Sequence, residues 1–254
     1  MIAVVPVDPP REGLVLPSLV ETTSLSEFEA VTVYEAAVAD VLRAVDESGA
    51  DLLVNYRDDG TLPEPFADGE PEAEVRALAA EALGDDAEHE DDSVRFERQV
   101  GSTRSARIGN TVTHLLERED AGNVGVVEPT VPLVGRSEID GVAMALRRHD
   151  VVLGPSSAGR AYVAGFTDTI DFTDAYATPA LSTLADRAAE AGLDIGFAPS
   201  MPSVATADGL CSTIAALEAH RHAGRPIAAA TAAAVDEVGL AVGADETLER
   251  VENR

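Results

Sequence analysis

The stretch Asp150-Val-Val-Leu-Gly-Pro-Ser-Ser-Ala-Gly-Arg-Ala-Tyr-Val-Ala-Gly-Phe166 decides the fold. Residues 151–153 and 161–166 are short apolar, β-forming runs, and the Gly/Pro/Ser segment 154–159 between them reads as a loop. A parallel crossover needs about a dozen residues or more. The loop is too short for that, so the two strands must form an antiparallel or diverging pair.

Outward from this pair, β-forming runs alternate with amphipathic windows, the pattern of an α/β chain. Strands are expected at 2–7, 52–56, 94–100, 124–127 and 195–198. Helices are expected at 26–48, 70–83, 105–119, 137–148, 178–191 and 206–223. Ser26 and Glu29 have capping-box spacing, as do Ser137 and Asp140, and Thr178-Pro179 reads as an N-cap followed by proline at the first helical position. The expected fold class is therefore α/β, with a mixed, mostly parallel sheet flanked by helices. Residues 1–225 are expected to form the main domain, and 226–254 a helical extension or tail.

The chain has 254 residues, 46 acidic against 18 basic, and a formal charge of −28. Every basic residue is Arg. So negative a field repels phosphate backbones and anionic membranes, which argues against a nucleic-acid or membrane partner. The excess acid, with no Lys, fits a surface suited to a salt-rich cytoplasm. Residues 58–92 hold 14 acids and only Arg76 as a base, and read as a solvated excursion. No apolar run approaches the roughly 20 residues of a membrane span. Residues 1–7 run straight into Asp8 without a signal-peptide pattern. The single Cys211 fits a reducing compartment and reads as a buried structural thiol, so the expected location is cytoplasmic. The sequence does not indicate an oligomeric state.

Familiar catalytic patterns are missing. There is no Walker-type phosphate loop, no G-x-G-x-x-G after the first strand and no G-x-S-x-G elbow. His220 and His222 are two apart on a helix and face different ways. His89, His114 and His149 are isolated.

Several segments, taken in order, resemble one family. These are Asp150 to Pro155 with Gly159, Tyr162 and Gly165-Phe166; Ile170-Asp171-Phe172-Thr173-Asp174-Ala175-Tyr176-Ala177-Thr178-Pro179; the run VVEPTVPL at 126–133; and GLVLPSL at 13–19. The chain is similar over roughly residues 1–222 to the arsenosugar-biosynthesis-type glycosyltransferases, within the GT-A-like nucleotide-diphospho-sugar transferases. That resemblance implies a GT-A-like domain with a nucleotide-sugar or other small ligand above Val7, Gly13 and the loop holding Gly154, Pro155, Gly159 and Arg160. It also implies a divalent cation, Mg²⁺ or Mn²⁺, bound by carboxylates.

The departures cut against ordinary metal chemistry. Where the family has a basic K-T-R loop this chain has Leu16, Pro17 and Ser18. Thr130 replaces the Asp of G-x-D-x-P, and Ala158 and Arg160 replace the Asp and second Gly of D-G-G. The late D-x-D-T becomes Ser203-Val204-Ala205-Thr206, and D-L-G-x-R becomes Arg107-Ile108-Gly109-Asn110-Thr111. Glu128 is the best remaining metal candidate, so a cation is expected only if its site has been relocated. Asp168, Asp171 and Asp174 form a spaced acidic series, and Arg11, Arg104, Arg107 and Arg160 are candidate phosphate partners. Three functional classes stay open: an active glycosyl- or nucleotidyltransferase with a relocated site, a divergent transferase-like protein without ordinary metal-dependent transfer, and a structural or regulatory subunit.

Overall fold

The computed structural model describes residues 1–84 and 94–251. His89 and the end of the acidic 58–92 stretch lie outside the described residues. β1 (Ile2–Val7), β2 (Asp51–Tyr56), β3 (Val94–Arg98), β4 (Val124–Val127), β5 (Val151–Pro155), β6 (Ala161–Phe166) and β7 (Ile195–Phe197) form one sheet in the order β3-β2-β1-β4-β6-β5-β7. β6 pairs antiparallel with both β4 and β5; the other pairings are parallel. The short loop after Gly154 reverses the chain as its length requires. Gly154 has no room for a side chain, since a Cβ there would lie 2.3 Å from the Tyr162 ring.

Alternate strand residues feed two cores, because successive Cβ atoms point to opposite faces of a sheet. Val5, Val54, Val127 and Val152 face α2 (Glu27–Asp46), α3 (Pro71–Leu83), α5 (Arg136–Ala145) and α7 (Ala207–His222). Val4, Leu53, Val126 and Leu153 face α4 (Arg104–Glu117) and α6 (Ala180–Glu190). Leu115 and Leu184 are fully buried in this second layer, where truncation to Ala would cost about 2–5 kcal/mol.

The helix ends show where local chemistry chose the boundaries. Ser26 caps α2 and Glu29 reaches back to the Ser26 N–H, completing the expected box. The box expected at Ser137 and Asp140 does not form. The Glu138 carboxylate instead accepts from the Gly135 N–H at 3.0 Å, so α5 starts at Arg136, one residue early. Asp140 turns away to accept from the Gly49 N–H. Pro179 stands at the cap of α6 rather than at its first turn, after a cis Thr178–Pro179 bond. A six-residue helix, α1 (Pro17–Thr22), too short to show periodicity, occupies the segment after Leu16.

Residues 226–251 carry α8 (Ala229–Val238) and a ribbon of β8 (Leu240–Val242) and β9 (Leu248–Arg250). The buried Asp40 carboxylate on α2 accepts from the Ala230 and Thr231 N–H groups at 3.1 and 2.7 Å, capping α8 from the side. Arg250 holds both oxygens of Glu29 at 2.7 Å.

Candidate functional site

Ligands of open α/β sheets bind outside the carboxyl ends of the strands, and a cleft of about 350 Å³ opens there. Asp8 follows β1 and Glu128-Pro129-Thr130 follows β4. Because β6 runs backwards, its first residue, Ala161, and Arg160 just before it come to the same edge. The rest of the wall comes from Leu16 to Ser18 at the start of α1, Tyr34 of α2, Arg104 of α4, and Tyr176 and Thr178 ahead of α6.

Asp8 is fixed through its backbone. The Tyr34 hydroxyl accepts from the Asp8 N–H at 2.9 Å and donates to its carbonyl at 3.2 Å. Burial pushes the Tyr34 phenol well above its ordinary pKa, so it stays a neutral donor. The Asp8 carboxylate lies 3.5 Å from Arg57. Glu128 is gripped through both oxygens by one Nη of Arg104. Each cleft carboxylate thus has its own guanidinium. The Arg104 guanidinium also sits 5.9 Å from the centre of the Tyr176 ring. Burial raises the Tyr176 pKa, and its hydroxyl has no hydrogen-bond partner among the described residues.

At the end of β4, Thr130 Oγ1 and Ser203 Oγ are 2.9 Å apart. The loop carrying Ser203 turns into α7, and its close return requires Gly209, where a Cβ would lie 2.0 Å from the Ser203 carbonyl oxygen. The two positions at which the resembled family carries acids therefore do meet in space. Here they hold hydroxyls.

Of the residues expected to line a nucleotide site, Arg160 reaches the cleft. It makes no hydrogen bond or ion pair through its side chain with a described residue. Val7 and Gly154 are buried in the sheet beneath. Pro155 gives its carbonyl to the Met201 N–H, Gly13 packs beside Phe66, and Gly159 turns at φ +71° against Pro179. These shape the floor and rim rather than line the cavity. Arg11 is engaged elsewhere, binding Glu74 through Nε and Nη2 at 2.9 and 2.7 Å. Asp168 and Asp171 accept from nearby backbone N–H groups on an exposed loop, and Asp174 is exposed at φ 55°. Sequence reasoning did not single out Asp8, Tyr34, Arg57 and Tyr176. Asp8 carried a usable signal, its place directly after the first strand.

The donors present do not fit a carboxylate-held divalent cation. Such ions want several oxygen ligands at about 2.0–2.6 Å. Glu128 is held by Arg104 and Asp8 faces Arg57, while Thr130 and Ser203 bond to each other. Among the described residues no group of three or more His, Cys, Asp or Glu gathers in a metal-holding arrangement.

The sheet order, the reversed β6 and the cleft at the strand ends are those of the nucleotide-diphospho-sugar transferase fold. The structure matches that of a protein from Desulfovibrio desulfuricans G20 assigned as a nucleotide-diphospho-sugar transferase. The TM-score is 0.71 at 19% identity, over 93% of this chain and 94% of that one. A cytidylyltransferase from Leptospira borgpetersenii serovar Hardjo-bovis matches with a TM-score of 0.51 at 7% identity, over 93% of both chains. No protein-family model matches the sequence, and neither does any curated protein. The likeness fixes the fold; it does not reach the narrower arsenosugar-type family.

Proposed function

We propose that the chain is a divergent member of this fold that binds a nucleotide-sugar or related phosphorylated small molecule without ordinary metal-dependent transfer. The observation that carries the reading is the Thr130–Ser203 hydroxyl contact at the end of β4. A transferase of this fold uses a carboxylate-bound cation to neutralise a leaving diphosphate. Two hydroxyls satisfying each other supply neither negative charge nor free lone pairs of comparable strength. The ligand's charge falls instead to Arg160, and to Arg104 in exchange with Glu128. The neutral Tyr176 hydroxyl is a donor to a sugar or phosphate oxygen.

The competing reading is an active transferase with a relocated metal and phosphate site. It rests on Asp8 and Glu128, both in the cleft, and requires Arg57 and Arg104 to release them.

Calorimetric titration with UDP- and GDP-sugars in molar KCl, with Mn²⁺ or with EDTA, tests the proposal. The expected result is binding of equal strength in both, with no donor consumed. Binding that requires Mn²⁺, or turnover of the donor, would overturn it in favour of the active enzyme. No heat with any sugar nucleotide would overturn it in favour of a structural subunit.

A further inference from the structure

Among 46 acidic residues, a buried arginine without a carboxylate is unexpected, because the composition offers partners everywhere. Arg107 is such a residue among the described ones. It is 8% exposed, on the first turn of α4. Its Nε donates to Gln99 Oε1 at 2.7 Å, and Gln99 Nε2 donates in turn to the Asn55 carbonyl at 2.7 Å. A neutral amide therefore orients the guanidinium without cancelling its charge. The two Nη groups of Arg107 make no hydrogen bond with a described residue.

Two further guanidiniums belong to the same corner. Arg104 is three residues before Arg107, hence on the same face of α4. Arg57 directly follows β2 and its N–H donates to the Val7 carbonyl at 3.3 Å, which places it across the end of β1. Its Nε is buried and has no partner among the described residues. Arg57 is spent on Asp8 and on the Thr61 carbonyl, and Arg104 on Glu128, so neither cleft carboxylate hydrogen-bonds Arg107. Burial, then the positive charges of Arg57 and Arg104, bring the Arg107 pKa down to about 10, with Asp8 only partly opposing them. The group is still charged near neutrality. A buried charge with open donors calls for a counter-ion. The amino end of α4 adds its own preference for negative charge.

We propose that Arg57, Arg104 and Arg107 form an oxyanion subsite at the carboxyl ends of β1 and β2, beside the cleft. It takes a phosphoryl or carboxylate group through the free fork of Arg107. Two Nη donors in one plane match two oxygens of such a group, which a single ammonium does not. Asp8, 3.5 Å from Arg57, offsets part of the positive charge of the corner. The subsite does not depend on the sugar-nucleotide reading.

The test uses the full chain with inorganic phosphate, then acetate, at matched ionic strength, following the arginine Nε–Hε signals by ¹⁵N NMR. A saturable shift of the Arg107 signal is expected. Arg107→Lys, which keeps the charge and loses the fork, should weaken binding by about tenfold or more. Arg148→Gln, exposed and remote, should leave it unchanged. Saturation by phosphate and not acetate assigns the phosphoryl group; the reverse assigns the carboxylate. No saturable shift with either anion overturns the proposal, as does undiminished affinity in a folded Arg107→Lys variant. If Arg107→Lys does not fold, the wild-type signal decides. Intact sugar-nucleotide binding with no saturable phosphate or acetate shift would sink the subsite and spare the cleft reading. Phosphate binding without sugar-nucleotide binding would do the opposite.

Discussion

Thr130 Oγ1 and Ser203 Oγ lie 2.9 Å apart, joining positions 73 residues distant in the chain. The Val204 N–H also donates to the Thr130 carbonyl at 2.9 Å, so backbone and side chains lock the same two loops. Changing both hydroxyls to carboxylates would place two negative charges at this junction. The variant Thr130→Asp/Ser203→Asp should be destabilised in EDTA by about 1–3 kcal/mol, from like-charge repulsion and lost bonding. Mn²⁺ should restore its melting temperature and leave the wild type unaffected. Thermal melts with and without Mn²⁺ check both halves; a double variant indifferent to Mn²⁺ would remove the link between these positions and a cation.

Glu128 competes with any anion for Arg104. Glu128→Gln should therefore raise sugar-nucleotide affinity, by roughly three- to tenfold on the usual scale of charge-assisted bonds. Arg160→Ala should lower it by about tenfold. Stability should change little in either case, since the partly exposed Glu128–Arg104 pair contributes about 0–1 kcal/mol and Arg160 pairs with no described residue. Calorimetry on the two variants reads opposite signs, and a fall in both would mean that Glu128 itself contacts the ligand.

The clamp between Arg250 and Glu29 should show in acid. Arg250, ahead of the Ser26 hydrogen bonds, draws the Glu29 pKa down to about 2 from 4.5. A depressed carboxylate contributes stability that is complete above its unfolded pKa and is lost as pH falls through its folded one. The contribution should thus be full near neutrality and fade between about pH 4.5 and about pH 2. Arg250→Ala should cost about 1 kcal/mol at neutral pH, allowing for the solvent around the pair. The gap between variant and wild type should close at the acid end. Chemical denaturation across that range measures it.

Two neighbours in the loop after β5 should respond with opposite signs. Ala158 sits at φ 56°, ψ 34°, a left-handed conformation that a Cβ disfavours. Ala158→Gly should stabilise the chain by about 0.5–1 kcal/mol. Gly159 has φ +71°, and a Cβ there would stand 2.9 Å from the Pro179 Cβ. Gly159→Ala should destabilise by about 1–2 kcal/mol and shift the Arg160 backbone, weakening ligand binding as well. Melting temperatures of the pair suffice to check the signs.

The parts of the fold that were legible in the sequence are those governed by neighbours along the chain. The reversal of β6 follows from the brevity of the loop after Gly154, and the α2 start from Ser26 and Glu29. At α5, Ser137 and Asp140 have the spacing of a box, yet the box that forms joins Glu138 to Gly135. Which one forms depends on the reach of Glu138 to Gly135, and spacing alone does not rank them. The β8–β9 ribbon escaped notice because strands of three residues have no periodicity. The site was less legible for a stronger reason. Arg104 and Glu128 are 24 positions apart, and Thr130 and Ser203 73 apart. Pairing over such intervals is decided by which loops the sheet order brings together. Aligning Thr130 and Ser203 with the family's acids pointed to both positions, but their contact became visible only in three dimensions.

The reversed strand has one more consequence. Because β6 runs against its neighbours, the link from Pro155 to Ala161 is a simple bend exposed at one rim, not a crossover threaded past a helix. Its exposed tip, Ala158, can change without re-registering any strand, while Gly159 stays held against Pro179. A lineage that keeps this topology therefore holds an adjustable lip over its cavity, and Arg160 is the letter this chain has written on it.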